Sequence, residues 1–244
     1  MVPAGRGQQM IPCFVLVPKR DYTLDDDWHA MGLCGTGSKT IVCSEIFVPR
    51  HRVLNFVAVT AGRTPGGDHH AAALYRMPML SCLPMSITMP PLGMLEGAVD
   101  DFREATGARK VRGAIVSAEK TVADHEAVQS CFAEASVSLD AAKLLVRRDI
   151  EEVYRVASAG QDVPESMRIR NRLSQAYVVK LAVNAIAGLL DAAGGASVYL
   201  DSNIQRVWRD INTAARHIAF NWGAVSTMYG QHTLGRPLTS TVGY

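Results

Sequence analysis

The sequence has no large excess of charge and no long uninterrupted apolar stretch. Its 25 basic and 23 acidic side chains leave a formal net charge of +2, so the broad field that attracts nucleic acid or a membrane surface is lacking. No apolar run approaches the roughly 20 residues of a membrane-spanning helix, and the first residues show no secretory leader pattern. We expect a cytoplasmic protein that binds neither nucleic acid nor membrane.

Cysteine is sparse and irregularly placed. The five thiols are odd in number and have no C-x-x-C spacing, which excludes a disulfide framework and a zinc-cysteine site and is typical of a reducing compartment. The adjacent His69 and His70 also lack the spacing of metal ligands. No metal site is therefore predicted.

The common nucleotide fingerprints are missing as well. Neither G-x-x-x-x-G-K-[ST] nor G-x-G-x-x-G occurs, which excludes a P-loop and a pyridine-nucleotide site of the Rossmann type. The run Gly-Thr-Gly-Ser at residues 35–38 would let backbone N–H groups approach a ligand, because glycine has no side chain. Taken alone, this run is more simply explained as a tight turn.

The chain is long enough, at 244 residues with 48% hydrophobic residues, to bury a large core. Apolar segments at residues 10–18 and 39–49 end in proline and predict strands, the first of them buried. A glycine-rich and proline-rich connection follows. We expect a partial β-domain over residues 1–60, a connecting segment over 61–90 and a C-terminal helical bundle over 91–244.

Helical periodicity dominates from Pro91 onward. Helices are predicted over residues 92–106, 118–158 and 164–193, with apolar stripes at helical spacing and glycine after each end. Long helices with such stripes bury one another in antiparallel bundles. The predicted fold class is α+β, a partial β-barrel or sheet followed by an antiparallel four-helix bundle.

Residues 194–222 form the most informative stretch. After two glycines and a short β-prone run, the pattern predicts one helix that begins near residue 201 or 202. Arg206, Asp210 and His217 then follow at i, i+4 and i+11 and would lie along one polar line beside an apolar stripe, as in the wall of a ligand pocket. A surface Arg–Asp pair with a satisfied histidine below it explains the same pattern.

Four motifs occur in an order that identifies a family. They read WHAMGLCGTGS, EIFVPRHR, PLGMLEGA and a late GG…RVWRD…HI…NW…YG…LG. The chain resembles the acyl-CoA dehydrogenase fold and, more closely, the flavin-dependent monooxygenases that share it, the oxygenase components of two-component aromatic hydroxylases. The family's N-terminal helical domain and the first part of its β-barrel have no counterpart, so we expect that they are lacking, which leaves the activity of this chain alone open.

Carboxylates are absent where one class of the fold requires them. No Asp or Glu occurs between Ile211 and Tyr244, although resemblance to acyl-CoA dehydrogenases implies a carboxylate base close to the position of His217. The family's alternative location, near Leu83, also lacks one. Removal of the thioester α-proton requires such a base. This absence favours a hydroxylase over an acyl-CoA dehydrogenase-like oxidoreductase, while a truncated, non-catalytic member of the fold remains the third alternative.

Resemblance to the hydroxylases implies that reduced FAD or FMN reacts with O2 to a C4a-hydroperoxide, which hydroxylates a phenolic or aromatic polyketide-type substrate. It assigns His217 to hydrogen-bonding the substrate hydroxyl or the flavin peroxide, since imidazole exchanges protons near neutral pH. A buried core histidine is the alternative. Arg206 and Asp210 would contact the substrate or support residues that do, and Thr36 and Ser38 could reach flavin or substrate.

The same resemblance suggests the cofactor contacts and the partners. Gly194 and Gly195 would let the backbone approach the flavin nucleotide, usually that of a neighbouring subunit. Arg109 and Arg112 could bind the flavin phosphates, because a guanidinium matches phosphate geometry, or could form a solvated basic turn. A separate flavin reductase would deliver the reduced flavin, and the bundle would assemble a homotetramer.

Overall fold

The computed structural model describes residues 2–3, 10–110 and 121–239, and the predicted phosphate contact Arg112 lies outside them. These residues fold mostly into helices, with three small antiparallel sheets of two strands each. The strands are β1 (Val2–Pro3), β2 (Met10–Ile11), β3 (Cys13–Val15), β4 (Thr23–Asp25), β5 (Thr40–Val42) and β6 (Val53–Asn55). They pair as β1 with β2, β3 with β6 and β4 with β5.

The strands are shorter and more exposed than the sequence predicts. Within residues 10–18 only β2 and β3 are extended and paired, and none of the side chains described there is buried. The prediction of a buried strand is wrong, because a two-stranded ribbon cannot cover the apolar side chains of its own face. Within residues 39–49 the strand ends at Val42, and Glu45 turns the chain at a positive φ of 49°.

Seven α-helices follow in the described part of the chain. They are α1 (Phe56–Thr60), α2 (Pro65–His69), α3 (Met79–Ala108), α4 (Glu126–Ser158), α5 (Glu165–Ala193), α6 (Asn203–Ala214) and α7 (Trp222–Thr233). The prediction of helices over 118–158 and 164–193 is confirmed except for the start of the first, which lies at Glu126. The division into domains stays a prediction.

Helix α3 begins at Met79, so the prediction that it starts after Pro91 is wrong. It continues through Pro84, Pro90 and Pro91, although proline lacks the N–H that a helix uses. Pro84 leaves the carbonyl of Leu80 without its helical donor, and the side chain of Gln175 donates to that oxygen at 3.2 Å. A buried amide from α5 therefore replaces one missing bond of α3.

Helix α5 is the centre of the bundle. It packs against α3, α4, α6 and α7, and its side chains Ile186 and Leu189 are fully buried in a core built from α3, α4, α5 and α6. The stretch Glu165–Val198 has the length and composition of a membrane-spanning helix. Its position among four other helices accounts for that composition.

The chain after α5 differs from the prediction of a β-prone run and one long helix. Gly194–Val198 is a 3-10 turn, α6 ends at Ala214, and a second 3-10 turn, Ile218–Phe220, precedes α7. His217 and Asn221 cap these last two elements with their side chains. Because capping residues are not helical themselves, His217 does not continue the line of Arg206 and Asp210.

Candidate functional site

A loop from the β-region is fixed on helix α6; we call residues 28–38 the docked loop. The carboxylate Oδ1 of Asp210 accepts a hydrogen bond from the backbone N–H of Leu33 at 2.6 Å. Arg209 Nη1 donates to the carbonyl oxygen of Met31 at 2.8 Å, and the Trp28 indole donates to the carbonyl oxygen of Leu33 at 2.9 Å. The motifs WHAMGLCGTGS and RVWRD, far apart in sequence, therefore meet.

The backbone of the docked loop is strained where it meets the helix. Leu33 has φ 53° and ψ 29°, a left-handed conformation that costs a non-glycine residue about 1–2 kcal/mol. Its N–H and C=O are both hydrogen-bonded, to Asp210 and Trp28, and these bonds hold the conformation. Strain of this kind is concentrated at binding and catalytic sites.

The docked loop also carries Thr36 and Ser38. Their hydroxyl oxygens lie 3.0 Å apart in a mutual hydrogen bond, and both side chains are exposed. The backbone N–H of Thr36 donates to the carbonyl oxygen of Leu33 at 3.1 Å. The structure thus connects these two hydroxyls, through one turn of backbone, to Asp210.

An open cavity lies at the junction between α5 and α6, and we call it the glycine cavity. Its volume is about 490 Å³, and Gly194, Gly195, Trp208 and Arg209 are among its lining residues. Gly194 has φ 64°, which glycine adopts without strain. The cavity has the size of an ordinary ligand pocket. Its bare backbone, aromatic ring and guanidinium fit part of a flavin nucleotide.

Arg109 lines a second cavity, of about 160 Å³, at the same end of the bundle. That cavity shares Ser197 with the glycine cavity and is also bordered by Ser202 and Asn203. The end of α3 and the α5–α6 junction are therefore neighbours. A guanidinium at this place can form a fork with phosphate oxygens.

Arg206 lies at the surface and does not pair with Asp210. Its guanidinium hydrogen-bonds the side-chain oxygen of Asn203, one turn earlier on α6. Within the described ranges no ion pair joins Arg206 to Asp210. The interpretation of an i, i+4 ion pair is wrong, because Asp210 binds the backbone of the docked loop instead.

His217 is exposed, which contradicts the alternative of a buried core histidine. Its Nδ1 accepts the backbone N–H of Ala219 at 3.1 Å, so in the neutral ring the proton lies on Nε2 and is available as a donor. The ring packs against Phe220 with centroids 6.0 Å apart. His217 lines neither the glycine cavity nor the cavity at Arg109.

A buried guanidinium supports the turn that carries His217. Arg172 of α5 donates to the carbonyl oxygen of Ala219 at 3.2 Å and to Gln175 Oε1 at 2.9 Å. Desolvation by burial lowers the pKa of Arg172. Two polar side chains in the core of α5 thus connect the start of α3 with the His217 turn.

Sequence reasoning missed four residues of this arrangement: Trp208, Arg209, Arg172 and Gln175. Arg209 directly precedes Asp210 in the quoted motif, which was a usable signal. Arg172 and Gln175 lie in the polar first half of α5, among other charged and amide residues, so no local pattern distinguished them. Nothing in the sequence indicated what Trp208 borders.

The comparisons with known proteins agree with this fold. The family model for the acyl-CoA dehydrogenase C-terminal domain matches residues 85–222. The FADH(2)-dependent resorcinol hydroxylase oxygenase component of Rhizobium sp. (strain MTP-10005) is 37% identical over 238 residues, which are 96% of this chain and 58% of that protein.

Solved structures show the same fold. The 3-HSA hydroxylase from Rhodococcus sp. RHA1 superimposes with a TM-score of 0.87 and 34% identity over 97% of this chain and 60% of that one. XiaF from Streptomyces sp., solved in complex with FADH2 and glycerol, gives a TM-score of 0.84 and 28% identity over 96% of this chain and 58% of that one.

The chain thus spans about three fifths of the length of these relatives. The family match covers more than half of the chain, including most of α3, all of α4, α5 and α6, and the turn that His217 begins. The bundle and the matched region coincide, and the chain belongs to the acyl-CoA dehydrogenase family through its C-terminal domain.

Proposed function

We propose that this chain belongs to the oxygenase component of a two-component flavin-dependent monooxygenase that hydroxylates a phenolic or aromatic polyketide-type substrate. The observation that carries the proposal is the absence of Asp and Glu between Ile211 and Tyr244. An acyl-CoA dehydrogenase needs a carboxylate base for its substrate. The printed functions of the similar proteins, resorcinol hydroxylase and 3-HSA hydroxylase, support the same choice.

The residues around the glycine cavity would hold part of the cofactor. The bare backbone at Gly194 and Gly195 would allow a flavin nucleotide to approach closely. The guanidinium of Arg209 is a donor suited to it, and Arg109 is placed for a phosphate. When bound, reduced FAD or FMN supplies the activation of O2. The docked loop offers the hydroxyls of Thr36 and Ser38; one of them donates to the other, which leaves one hydroxyl proton for a ligand.

The proposed role of His217 follows from its tautomer. With Nδ1 occupied by the Ala219 N–H, the exposed Nε2–H can donate a hydrogen bond to the oxygen of a phenolic substrate. Such a bond would stabilise a substrate bound as its phenolate, whose electron-rich ring is the better nucleophile. Arg172 holds the turn in place from inside the bundle.

The remaining features of the proposal concern the whole protein. They are a partial β-barrel preceding an antiparallel four-helix bundle, the domain division given above, a cytoplasmic location, a homotetramer built through the bundle and a separate flavin reductase as partner. The name of the similar resorcinol hydroxylase, an oxygenase component that depends on FADH(2), supports the reductase.

Incubation of the protein with a flavin reductase, NADH, FAD or FMN, and a panel of phenols tests the proposal. We expect a hydroxylated product by mass spectrometry, with incorporation of one atom from ¹⁸O2. Oxidation of an acyl-CoA with an artificial electron acceptor would instead support the dehydrogenase. Tight reduced-flavin binding without either product would favour a non-catalytic protein.

Two variants of His217 separate its chemistry from its structural role. His217→Asn keeps a side-chain acceptor that can cap the turn, as asparagine does well, whereas His217→Ala removes the cap, at a cost of about 1 kcal/mol. We expect both variants to lose hydroxylation and only the alanine variant to lose stability. Unchanged turnover in His217→Asn would remove the proposed role of the imidazole.

A further inference from the structure

Two neighbouring residues of α6 hold the docked loop by its backbone. Asp210 accepts the N–H of Leu33, and Arg209 donates to the carbonyl oxygen of Met31. A charged group takes part in both bonds, and such bonds are stronger than neutral ones. Because both bonds reach backbone atoms, they fix where the loop lies.

The fit between the docked loop and α6 is also steric. A Cβ atom on Gly32 would overlap the backbone carbonyl of Arg209 and would lie 2.7 Å from Thr213 Oγ1. Any side chain at residue 32 therefore forces the loop away from the helix. Gly35, three residues further along the same loop, has no atom within 4 Å of such a Cβ, so the two glycines form a matched pair.

Arg209 belongs to the loop contact and to the glycine cavity at once. It lines the cavity with Gly194 and Gly195, and its Nε donates to Gln205 Oε1 at 2.9 Å. Gln205 in turn donates to the carbonyl oxygen of Leu200 at 3.1 Å, just before α6. A continuous set of hydrogen bonds thus connects the rim of the glycine cavity with the docked loop.

We propose that Arg209 and Asp210 are positioning residues that set the place of Thr36 and Ser38 relative to the glycine cavity. A flavin that contacts the loop hydroxyls then meets them in one fixed arrangement. The inference rests on the proposed function where it takes the ligand to be a flavin. The contact between loop and helix can be tested without any ligand.

The first measurement follows the docked loop in the full chain. Four variants are compared with the wild type: Asp210→Ala, Asp210→Asn, Gly32→Ala and Gly35→Ala. Hydrogen exchange by NMR reports the Leu33 amide and the Trp28 indole N–H. We expect exchange to accelerate about tenfold or more in both Asp210→Ala and Gly32→Ala. The first variant removes the charged acceptor of the Leu33 N–H, and the second pushes the loop away from that acceptor.

Asp210→Asn and Gly35→Ala serve as matched controls in that measurement. Asparagine keeps a side-chain oxygen that can accept from Leu33, and an alanine at residue 35 meets no neighbouring atom. Exchange in both variants should stay within about twofold of the wild type. Circular dichroism and melting curves check the fold; if Asp210→Ala does not fold, Gly32→Ala against Gly35→Ala gives the same comparison.

The second measurement is an anaerobic titration with reduced FAD. We expect about tenfold weaker binding in Asp210→Ala and Gly32→Ala, and rescue of the affinity in Asp210→Asn. If Asp210→Ala weakened binding only by destabilising the protein, Asp210→Asn would not be expected to restore the affinity for reduced FAD. A loosened loop with unchanged affinity for reduced FAD would overturn the positioning role, and unchanged exchange in Asp210→Ala would overturn the contact itself.

The two proposals fail in different ways. A wild-type protein that binds no reduced FAD and forms no hydroxylated product would contradict the proposed function. The exchange rates of Leu33 and Trp28 would then still decide whether Asp210 and the close fit at Gly32 hold the docked loop.

Discussion

Cys82 on α3 is a single residue whose surroundings change its chemistry. Desolvation by burial raises the pKa of its thiol from 9.0 to about 11, because a partly dehydrated site disfavours the thiolate. The other free cysteines include Cys34 and Cys43, which are exposed. Cys82 is therefore expected to be a poor nucleophile in the folded protein.

This raised pKa predicts a dependence of stability on pH. Between pH 9 and 11 the unfolded chain loses the Cys82 proton while the folded chain keeps it, so the free energy of unfolding falls as the pH rises. Denaturant titrations at pH 8 and pH 10.5 should show a smaller fall for Cys82→Ala than for the wild type. Cys43→Ala, an exposed control, should follow the wild type; an equal fall in Cys82→Ala would contradict the prediction.

Arg172 shows at the same scale what periodicity cannot predict. Its position on α5 reads as one more polar residue of a helix, yet its side chain is 2% exposed and hydrogen-bonds the Ala219 carbonyl, 47 residues later in the chain. A side chain that reaches across the core is defined by its distant partner. Such a contact leaves no local pattern in the sequence.

At the scale of elements, Gln175 joins two helices. Its side-chain amide donates to the carbonyl oxygens of Leu80 and Ser81 at 3.2 and 3.3 Å, and its oxygen accepts from Arg172. The residue is fully buried. Removing it leaves several polar groups unsatisfied in the core, and each such group costs about 1–3 kcal/mol.

We therefore expect Gln175→Ala to lower the free energy of unfolding by about 2–4 kcal/mol. Urea denaturation followed by circular dichroism measures the change. The exposed Gln161, just after α4, provides the control, and Gln161→Ala should stay within about 0.5 kcal/mol of the wild type. A similarly small change in the free energy of unfolding for Gln175→Ala would contradict the prediction and would mean that water replaces the amide at no cost in stability.

Some elements of this fold were predictable from the sequence and others were not, for physical reasons. Helices α4 and α5 were predictable because a regular apolar stripe and a following glycine mark them. The first part of α3 was not, because Pro84, Pro90 and Pro91 suggest a break, whereas the helix continues through all three and Gln175 satisfies the carbonyl that Pro84 leaves free. Within residues 194–222 the sequence predicted one long helix, whereas the structure has α6 followed by a 3-10 turn and the start of α7. His217 and Asn221 cap these last two elements and so interrupt the helix.

The candidate site was partly accessible from sequence. Glycine pairs and the Arg-Asp dipeptide point to places where backbone and charge are exposed to a ligand, and the structure brings Gly194, Gly195 and Asp210 to neighbouring parts of α6 and its entry. The docking of residues 28–38 on α6 was not accessible. It depends on contacts across 177 residues of sequence, which no local spacing encodes.

At the scale of the whole molecule, helix α4 has large apolar side chains on its solvent side. Val137 is 63% and Leu144 60% exposed. Residues of this kind on one helix are typical of surfaces that another chain covers. They agree with the proposal that the bundle forms a homotetramer.

Light scattering coupled to size exclusion tests this assembly. We expect a mass of four times 26.4 kDa for the wild type and a smaller species for the double variant Val137→Glu, Leu144→Glu, since burying two carboxylates in an interface is strongly unfavourable. Asp162→Lys, in the exposed turn after α4, should keep the wild-type mass. A monomeric wild type would contradict the proposal.

Pro84 and Gln175 depend on each other across the interface between α3 and α5. A residue with an N–H at position 84 could restore the helical bond to the Leu80 carbonyl and leave the Gln175 amide short of an acceptor. An apolar residue at position 175 would leave that carbonyl bare while the proline remains. A substitution at one of these positions is therefore expected to leave a polar group unpaired as long as the other residue is kept. Related sequences should either change Pro84 and Gln175 together or keep both.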